Sequence, residues 1–159
     1  MYFADQTFSF ELLGAASYGL YGGSEIGEVL ATAKQIREGD FESWHVAWQQ
    51  TAMRVEALAV RANHEGHRAS AGQAYARASN YHRTAEFFLA PDDPRRLVTF
   101  EKSVTAFWRF TELTGLRVER IRIPYEGTTL PGYFYRADDS RAPRQTLLSL
   151  GGFDSWTIY

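Results

Sequence analysis

Apolar residues recur three and four positions apart up to Gly115 and alternate with polar ones after it, so the chain changes period once. The first part reads as helices. Ser24 is placed to cap a helix whose stripe is Ile26, Val29, Leu30, Ala33 and Ile36, ending at Gly39. Asp40 caps the next, with Trp44, Ala47, Trp48, Val55, Leu58, Ala59 and Ala62 inward, to about Gly66. A third runs from about His67 to Leu89, with small residues on one side (Ala69, Gly72, Ala76, Ser79) that allow a close crossing. Asp93-Pro94 is a cap followed by proline in the first turn, opening a helix with Leu97, Phe100, Val104, Phe107 and Thr111 that stops at Gly115. Residues 7–18 form a further short helix.

Beyond Gly115, Ile121, Ile123 and Tyr125 alternate with Arg120, Arg122 and Pro124, as in a half-buried strand. Glu126-Gly127 turns the chain, and Leu130 to Tyr135 returns as a second strand. Pro131 has no N–H to give a ladder and must occupy an unpaired position. A polar loop from Ala137 to Arg144 leads to Thr146-Leu147-Leu148-Ser149-Leu150, short and apolar enough to be a strand buried on both faces. Such a strand running into Gly151-Gly152 normally feeds a helix and more strands. The expected class is therefore α/β: an N-terminal helical bundle over 1–114, then an incomplete sheet over 115–159. Its first three strands fall at about 117–125, 129–136 and 145–150, with a loop at 151–155.

Composition narrows the function. The chain has 159 residues, 45% hydrophobic and 15% aromatic, which excludes a disordered protein. With no cysteine it has no disulfide, thiolate metal site or cysteine nucleophile. The net charge is −2, and residues 1–40, 41–113 and 114–159 carry −4, +1 and +1, so no basic segment offers itself to nucleic acid. No apolar run approaches the roughly 20 residues that cross a bilayer, and Met1 to Asp5 does not start like a signal peptide. A cytoplasmic protein that avoids membranes is expected.

Residue chemistry by itself offers little. Ala15-Ala16-Ser17-Tyr18-Gly19 is one glycine short of a nucleophile elbow, and it follows no strand. Ser155 reads as a turn or cap. His64 and His67 stand three apart around Gly66, whereas a helical zinc pair needs a spacing of four, so no metal is expected. His45 and His82 read as packed or surface histidines rather than proton shuttles. Gly19, Gly22, Gly23 and Gly27 match neither phosphate-binding pattern and imply no cofactor. Trp44, Trp48, Tyr81, Phe87 and Phe88 read as core.

Two stretches resemble a known superfamily. Ile123-Pro124-Tyr125-Glu126-Gly127-Thr128-Thr129-Leu130-Pro131-Gly132-Tyr133-Phe134 is similar to the first hairpin of α/β-hydrolases of the acyl-peptidase and esterase type. Leu147 to Ser155 resembles their third strand and oxyanion loop. Upstream, Tyr21 to Glu28, Asp40 to Trp44 and Ala78 to Phe88 are similar to the helical extension of one branch. That branch holds dihydropseudooxynicotine hydrolase and dipeptidyl aminopeptidase/acylaminoacyl-peptidase-like proteins.

The resemblance implies a serine nucleophile in G-x-S-x-G, a histidine held by an acid, and two backbone N–H groups that receive the oxyanion. The matching oxyanion donor here is Phe153 or its neighbour Gly152. The nucleophile, acid and histidine follow that loop in the family, and this sequence holds no G-x-S-x-G. The resemblance thus implies the N-terminal part of a serine-type hydrolase of ester, amide or C–C bonds, inactive alone. In the intact enzyme the partner is a small-molecule or short-peptide acyl substrate, and a homodimer is consistent with the family. A non-enzymatic helical interaction module and a decayed, truncated gene product are the alternatives.

Overall fold

A computed structural model describes residues 2–140, 142–149 and 151. The chain divides after Thr114 into a helical unit and a smaller one beginning at Gly115.

The helical unit contains α1 (Gln6–Ser17), a 3-10 turn (Tyr18–Tyr21), α2 (Ile26–Ala33), α3 (Phe41–His64), α4 (Arg68–Glu86) and α5 (Pro94–Thr114). The starts follow local chemistry. The Asp5 and Asp40 carboxylates accept the Phe8 and Ser43 backbone N–H groups and so occupy donors the helix itself cannot use. Before α5, Asp93 accepts the Arg95 N–H at 2.8 Å, with Pro94 in the first turn. α2 departs from expectation at both ends. Its cap is Glu25, whose carboxylate accepts the Glu28 N–H at 2.9 Å, while Ser24 is buried in the preceding turn. The helix ends at Ala33, and Ile36 reaches the core from the following connection.

α3 and α4 lie against each other along alanines and one valine: Ala52, Val55 and Ala59 from one, Ala71, Ala74 and Ala78 from the other, all buried. Trp44, Trp48 and Tyr81 are fully enclosed beside them. Burying a side chain of that size stabilises by on the order of 2–3 kcal/mol. Phe8 meets Trp44 edge-on at 5.3 Å and stacks on Phe88 at 5.0 Å, which fastens α1 to the pair.

The small side of α4 is partly as expected. Ala69 lies in water, but a Cβ on Gly72 would come within 3.0 Å of Thr114 Cγ2. Ser79 and Ser103 clasp reciprocally, each hydroxyl donating to the other's carbonyl, at 2.9 and 2.8 Å. The α5 seam runs through Phe100, Ser103, Ala106 and Thr111, and the expected Leu97 is 60% exposed.

The second unit is a hairpin of β1 (Val118–Tyr125) and β2 (Thr128–Tyr135), antiparallel, with Tyr125 opposite Thr128. Glu126 and Gly127 both take positive φ, 42° and 80°, the two-residue turn that matches strand twist. The Arg136 N–H donates to the Arg117 carbonyl at 2.9 Å, which identifies this pair and every second pair after it as the bonded ones. Arg122 opposite Pro131 and Pro124 opposite Thr129 fall between them. Both prolines thus sit where no ladder donor is required, as expected for Pro131.

The two expected strands at 117–125 and 129–136 are formed to within a residue. The third, at 145–150, is not: residues 143–149 lie in no strand, and Leu150 is outside the described residues. A strand exists through a neighbour's hydrogen bonds, and no third strand flanks the hairpin among the described residues. Leu147 and Leu148 are accordingly 91% and 77% exposed.

Candidate functional site

Helix α4 carries most of the polar chemistry of the helical unit, in three groups along its length. The first holds the turn between α1 and α2. The Asn80 amide donates to the Ala15 and Gly23 carbonyls at 3.0 and 2.9 Å. One turn position on, the buried Tyr81 hydroxyl accepts the Glu25 backbone N–H at 2.9 Å and donates to Glu28 Oε2 at 2.8 Å. Arg77 completes the group with an Nε contact to the same carboxylate oxygen at 3.0 Å. Burial raises the phenol pKa well above its usual value, so this hydroxyl is a fixed donor rather than a base.

The second group centres on His82, which is fully buried. Its Nε2 faces Glu56 Oε2 at 3.0 Å and its Nδ1 faces Gln49 Oε1 at 3.3 Å. The His82 hydrogen bond holds the Glu56 carboxyl below its usual range. A histidine paired with a carboxylate resembles half of a proton relay, but its other nitrogen meets an amide oxygen and not a nucleophilic hydroxyl. The group ties α4 to α3.

The third group lies at the C-terminal end of α4. Trp44 Nε1 donates to the Thr84 carbonyl at 2.8 Å, and His45 Nδ1 donates to the Ala85 carbonyl at 2.9 Å. Carbonyls left open by the helix end are thereby satisfied. Glu86, fully buried, takes Arg83 at 2.9 Å and Arg96 at 2.6 Å, joining α4 to α5. Nearby, Arg95 bridges Glu42 and Asp93, and holds the Asp93 carboxyl down to about 2.

The remaining candidates separate cleanly. Ser17 ends α1, its hydroxyl donating to the Gly14 carbonyl at 2.7 Å. His64 closes α3 and His67 precedes α4, its ring 3.5 Å from Glu65. Among the described residues no three His, Asp or Glu groups gather as metal ligands. No helix among them is long and apolar enough to cross a membrane. Gly19 lies in the 3-10 turn and Gly22 caps it at φ 76°, while Gly27 falls within α2. Of the aromatic positions, Trp44, Trp48 and Tyr81 are core, Phe88 packs against it, and Phe87 lies 5.6 Å from the Arg83 guanidinium. A cleft of about 160 Å³ opens beside Arg37, Glu42, Val46 and Gln50, without a nucleophile paired to a base. Gly152, Phe153 and Ser155 lie outside the described residues, and Gly151 before them is exposed and in no strand or helix.

The clamp on the turn escaped sequence reading because its members are 49 to 65 residues apart. The glycine cluster and the resembling stretches Tyr21 to Glu28 and Ala78 to Phe88 fall at that place, without giving the contacts.

Comparison with known proteins supplies what these groups do not. No family model matches the chain. It is 42% identical over 159 residues to 20-hydroxy-prefusarin hydrolase FUS2 of Gibberella moniliformis, covering 96% of this chain and 38% of that protein. It is 42% identical over 132 residues to alpha/beta hydrolase xenA of Xenoacremonium sinensis, covering 80% and 30%. Alpha/beta hydrolase psoB of Aspergillus fumigatus is 38% identical over 162 residues, covering 96% and 36%. The chain thus matches proteins named hydrolases along most of its own length and spans less than two fifths of theirs.

Proposed function

We propose that this chain is the helical extension and opening hairpin of a serine-type α/β-hydrolase that cleaves an ester, amide or carbon–carbon bond. The observation that carries this is identity near 40% over nearly the whole chain to curated hydrolases that are more than twice as long. The hairpin supports it, with Glu126-Gly127 turning and Pro131 at an unpaired position where the family's first hairpin is matched. In this reading the backbone N–H of Phe153 or Gly152 receives the oxyanion, and glycine before it lets main chain approach the reacting carbonyl with no Cβ in the way. One such donor contributes roughly a hundred- to a thousand-fold in rate. The nucleophile, acid and histidine come from sequence beyond this chain, as does the choice of bond. We place the chain in the helical-extension branch with dihydropseudooxynicotine hydrolase, and its substrate is a small-molecule or short-peptide acyl compound.

A fluorophosphonate probe tests the proposal. The 159-residue chain alone should take up no label. The product of the gene continued past codon 159 should label at a single serine within G-x-S-x-G. Stoichiometric serine labelling of the short chain would refute the assignment.

A further inference from the structure

Helix α3 is apolar on two sides. The side with Trp48, Ala52, Val55 and Ala59 is buried in the core. The outer side carries Val46, Met53 and Val60, seven residues apart and 42%, 54% and 54% exposed, with Ala57 exposed between the last two. A surface helix needs one apolar stripe, so the second is written for something outside the helical unit. Its spacing is also the stricter one. From Val46 through Gln50, Met53 and Ala57 to Val60 the steps are four, three, four and three, the period at which one helix packs along another. A cleft opens beside Val46 and Gln50 at the head of the stripe and leaves room there for a side chain of the occupant.

We propose that this face of α3 is a dimerisation seam that takes α3 of a second copy of the chain, parallel and in register. The charges along the stripe argue for that occupant. Glu56 flanks it on one side, with one carboxylate oxygen on His82 and its side chain 31% exposed. Arg54 and Arg61 flank it on the other, both exposed. In a parallel pair of helices a flanking residue meets the opposite flank of its partner five positions on. Glu56 of each copy thus faces Arg61 of the other, twice by symmetry. An antiparallel pair centred on Met53 would instead bring Arg54 against Arg54, which selects against it. Gln50 meets its own counterpart across the axis, a polar pair of the kind that fixes register. The occupant must present a 3.5-residue seam with a cation opposite Glu56 and a carboxylate opposite Arg61, and α3 itself does so. The seam lies wholly within the helical unit and does not depend on the function proposed above.

The stripe is about 21 Å long from Val46 to Val60, short for a permanent interface, so the dimer should dissociate in the micromolar range. Sedimentation of the 159-residue chain between about 1 and 200 µM should show monomer giving way to dimer. Met53→Asp should weaken association at least about thirtyfold and leave the melting temperature of the dilute chain within about 2 °C, since the side chain is half exposed there. Arg61→Glu turns the contact with Glu56 repulsive and should weaken association about tenfold, an effect that high salt reduces. Should Met53→Asp lower the melting temperature further, Arg61→Glu decides alone. The chain has no cysteine, so Val60→Cys gives a single thiol, and mild oxidation should join two copies through position 60.

A monomer throughout that concentration range overturns the seam. So does a dimer indifferent to both Met53→Asp and Arg61→Glu, because its contact lies elsewhere. A mixture of Val46→Cys and Val60→Cys chains that yields chiefly the mixed disulfide overturns the parallel register. If the protein continued past codon 159 stays monomeric and shields position 60 from maleimide, the face belongs to the rest of the chain and the second copy is refuted. Fluorophosphonate labelling bears on none of these results.

Discussion

Tyr81→Phe removes one oxygen from the centre of the helical unit and leaves the ring packing intact. The ring is fully buried beside Trp48, at a centroid distance of 5.4 Å, so no cavity opens. Two hydrogen bonds are lost: the Glu25 N–H loses its acceptor at 2.9 Å, and the Glu28 carboxylate loses a donor at 2.8 Å but keeps Arg77 at 3.0 Å. A stranded backbone donor costs about 1 kcal/mol, and a hydrogen bond to a charged group about 1.5–3 kcal/mol, reduced here by the remaining guanidinium. The expected loss is about 2–3 kcal/mol, which for a unit of this size is roughly 10 °C in melting temperature.

Urea titration followed by the fluorescence of the buried Trp44 and Trp48 measures it, and exchange of the Glu25 amide should accelerate in the variant. The same hydroxyl sets a pH signature. Because burial makes the folded phenol hold its proton to higher pH than the unfolded one, its contribution is complete below about pH 10 and declines as pH rises beyond that. Tyr81→Phe lacks the decline. A loss under about 0.5 kcal/mol with an unchanged Glu25 exchange rate refutes the clamp, since even one net hydrogen bond exceeds it.

Other consequences are separable. The reciprocal bonds of Ser79 and Ser103 predict a coupling energy of about 1 kcal/mol in a double-mutant cycle of the two alanine variants, measured by urea unfolding. Arg95 holds the Asp93 and Glu42 carboxyls below their usual ranges, Asp93 down to about 2. Their share of stability is present above the unfolded carboxylate range and is lost as pH falls from about 4.5 toward 2, so Arg95→Ala should flatten the acid limb of a stability–pH curve. A chain shortened to residues 1–114 should unfold cooperatively by circular dichroism with the helical melting transition retained, because the tryptophan core lies wholly within that unit.

What could be read in the sequence was what the chain decides within a few residues. Asp40, Asp93-Pro94, the Glu126-Gly127 turn and the unpaired position of Pro131 all follow from donors, acceptors and dihedral limits of neighbours. α2 shows where that stops. Ser24 is the residue type that suits a cap, but Glu25 takes the position, and its own N–H donates to the hydroxyl of Tyr81, 56 residues away. A contact 19 residues apart hid part of the core seam. Ile26 and Leu30 fall on the apolar stripe but are 60% and 40% exposed, while Thr32 is buried and shares a hydrogen bond of 2.7 Å with Thr51. A threonine can be buried where its hydroxyl finds a partner, and periodicity carries no information about partners.

Thr146 to Leu150 extends this to the sheet. The run has the composition of a strand covered on both faces, and its described residues form none. Composition reports what a segment can bury, whereas pairing reports what is present to bury it against. If the chain is the front of a hydrolase as proposed, a run written for two covered faces, with Leu147 and Leu148 standing 91% and 77% exposed, would take partners on either side of it. The relatives' additional length can supply them. In the continued protein, amides 147–149 should therefore gain protection that they lack in the short chain. Strong protection in the short chain as a dilute monomer would mean that the segment finds its partner within these 159 residues, and would remove the need for any other.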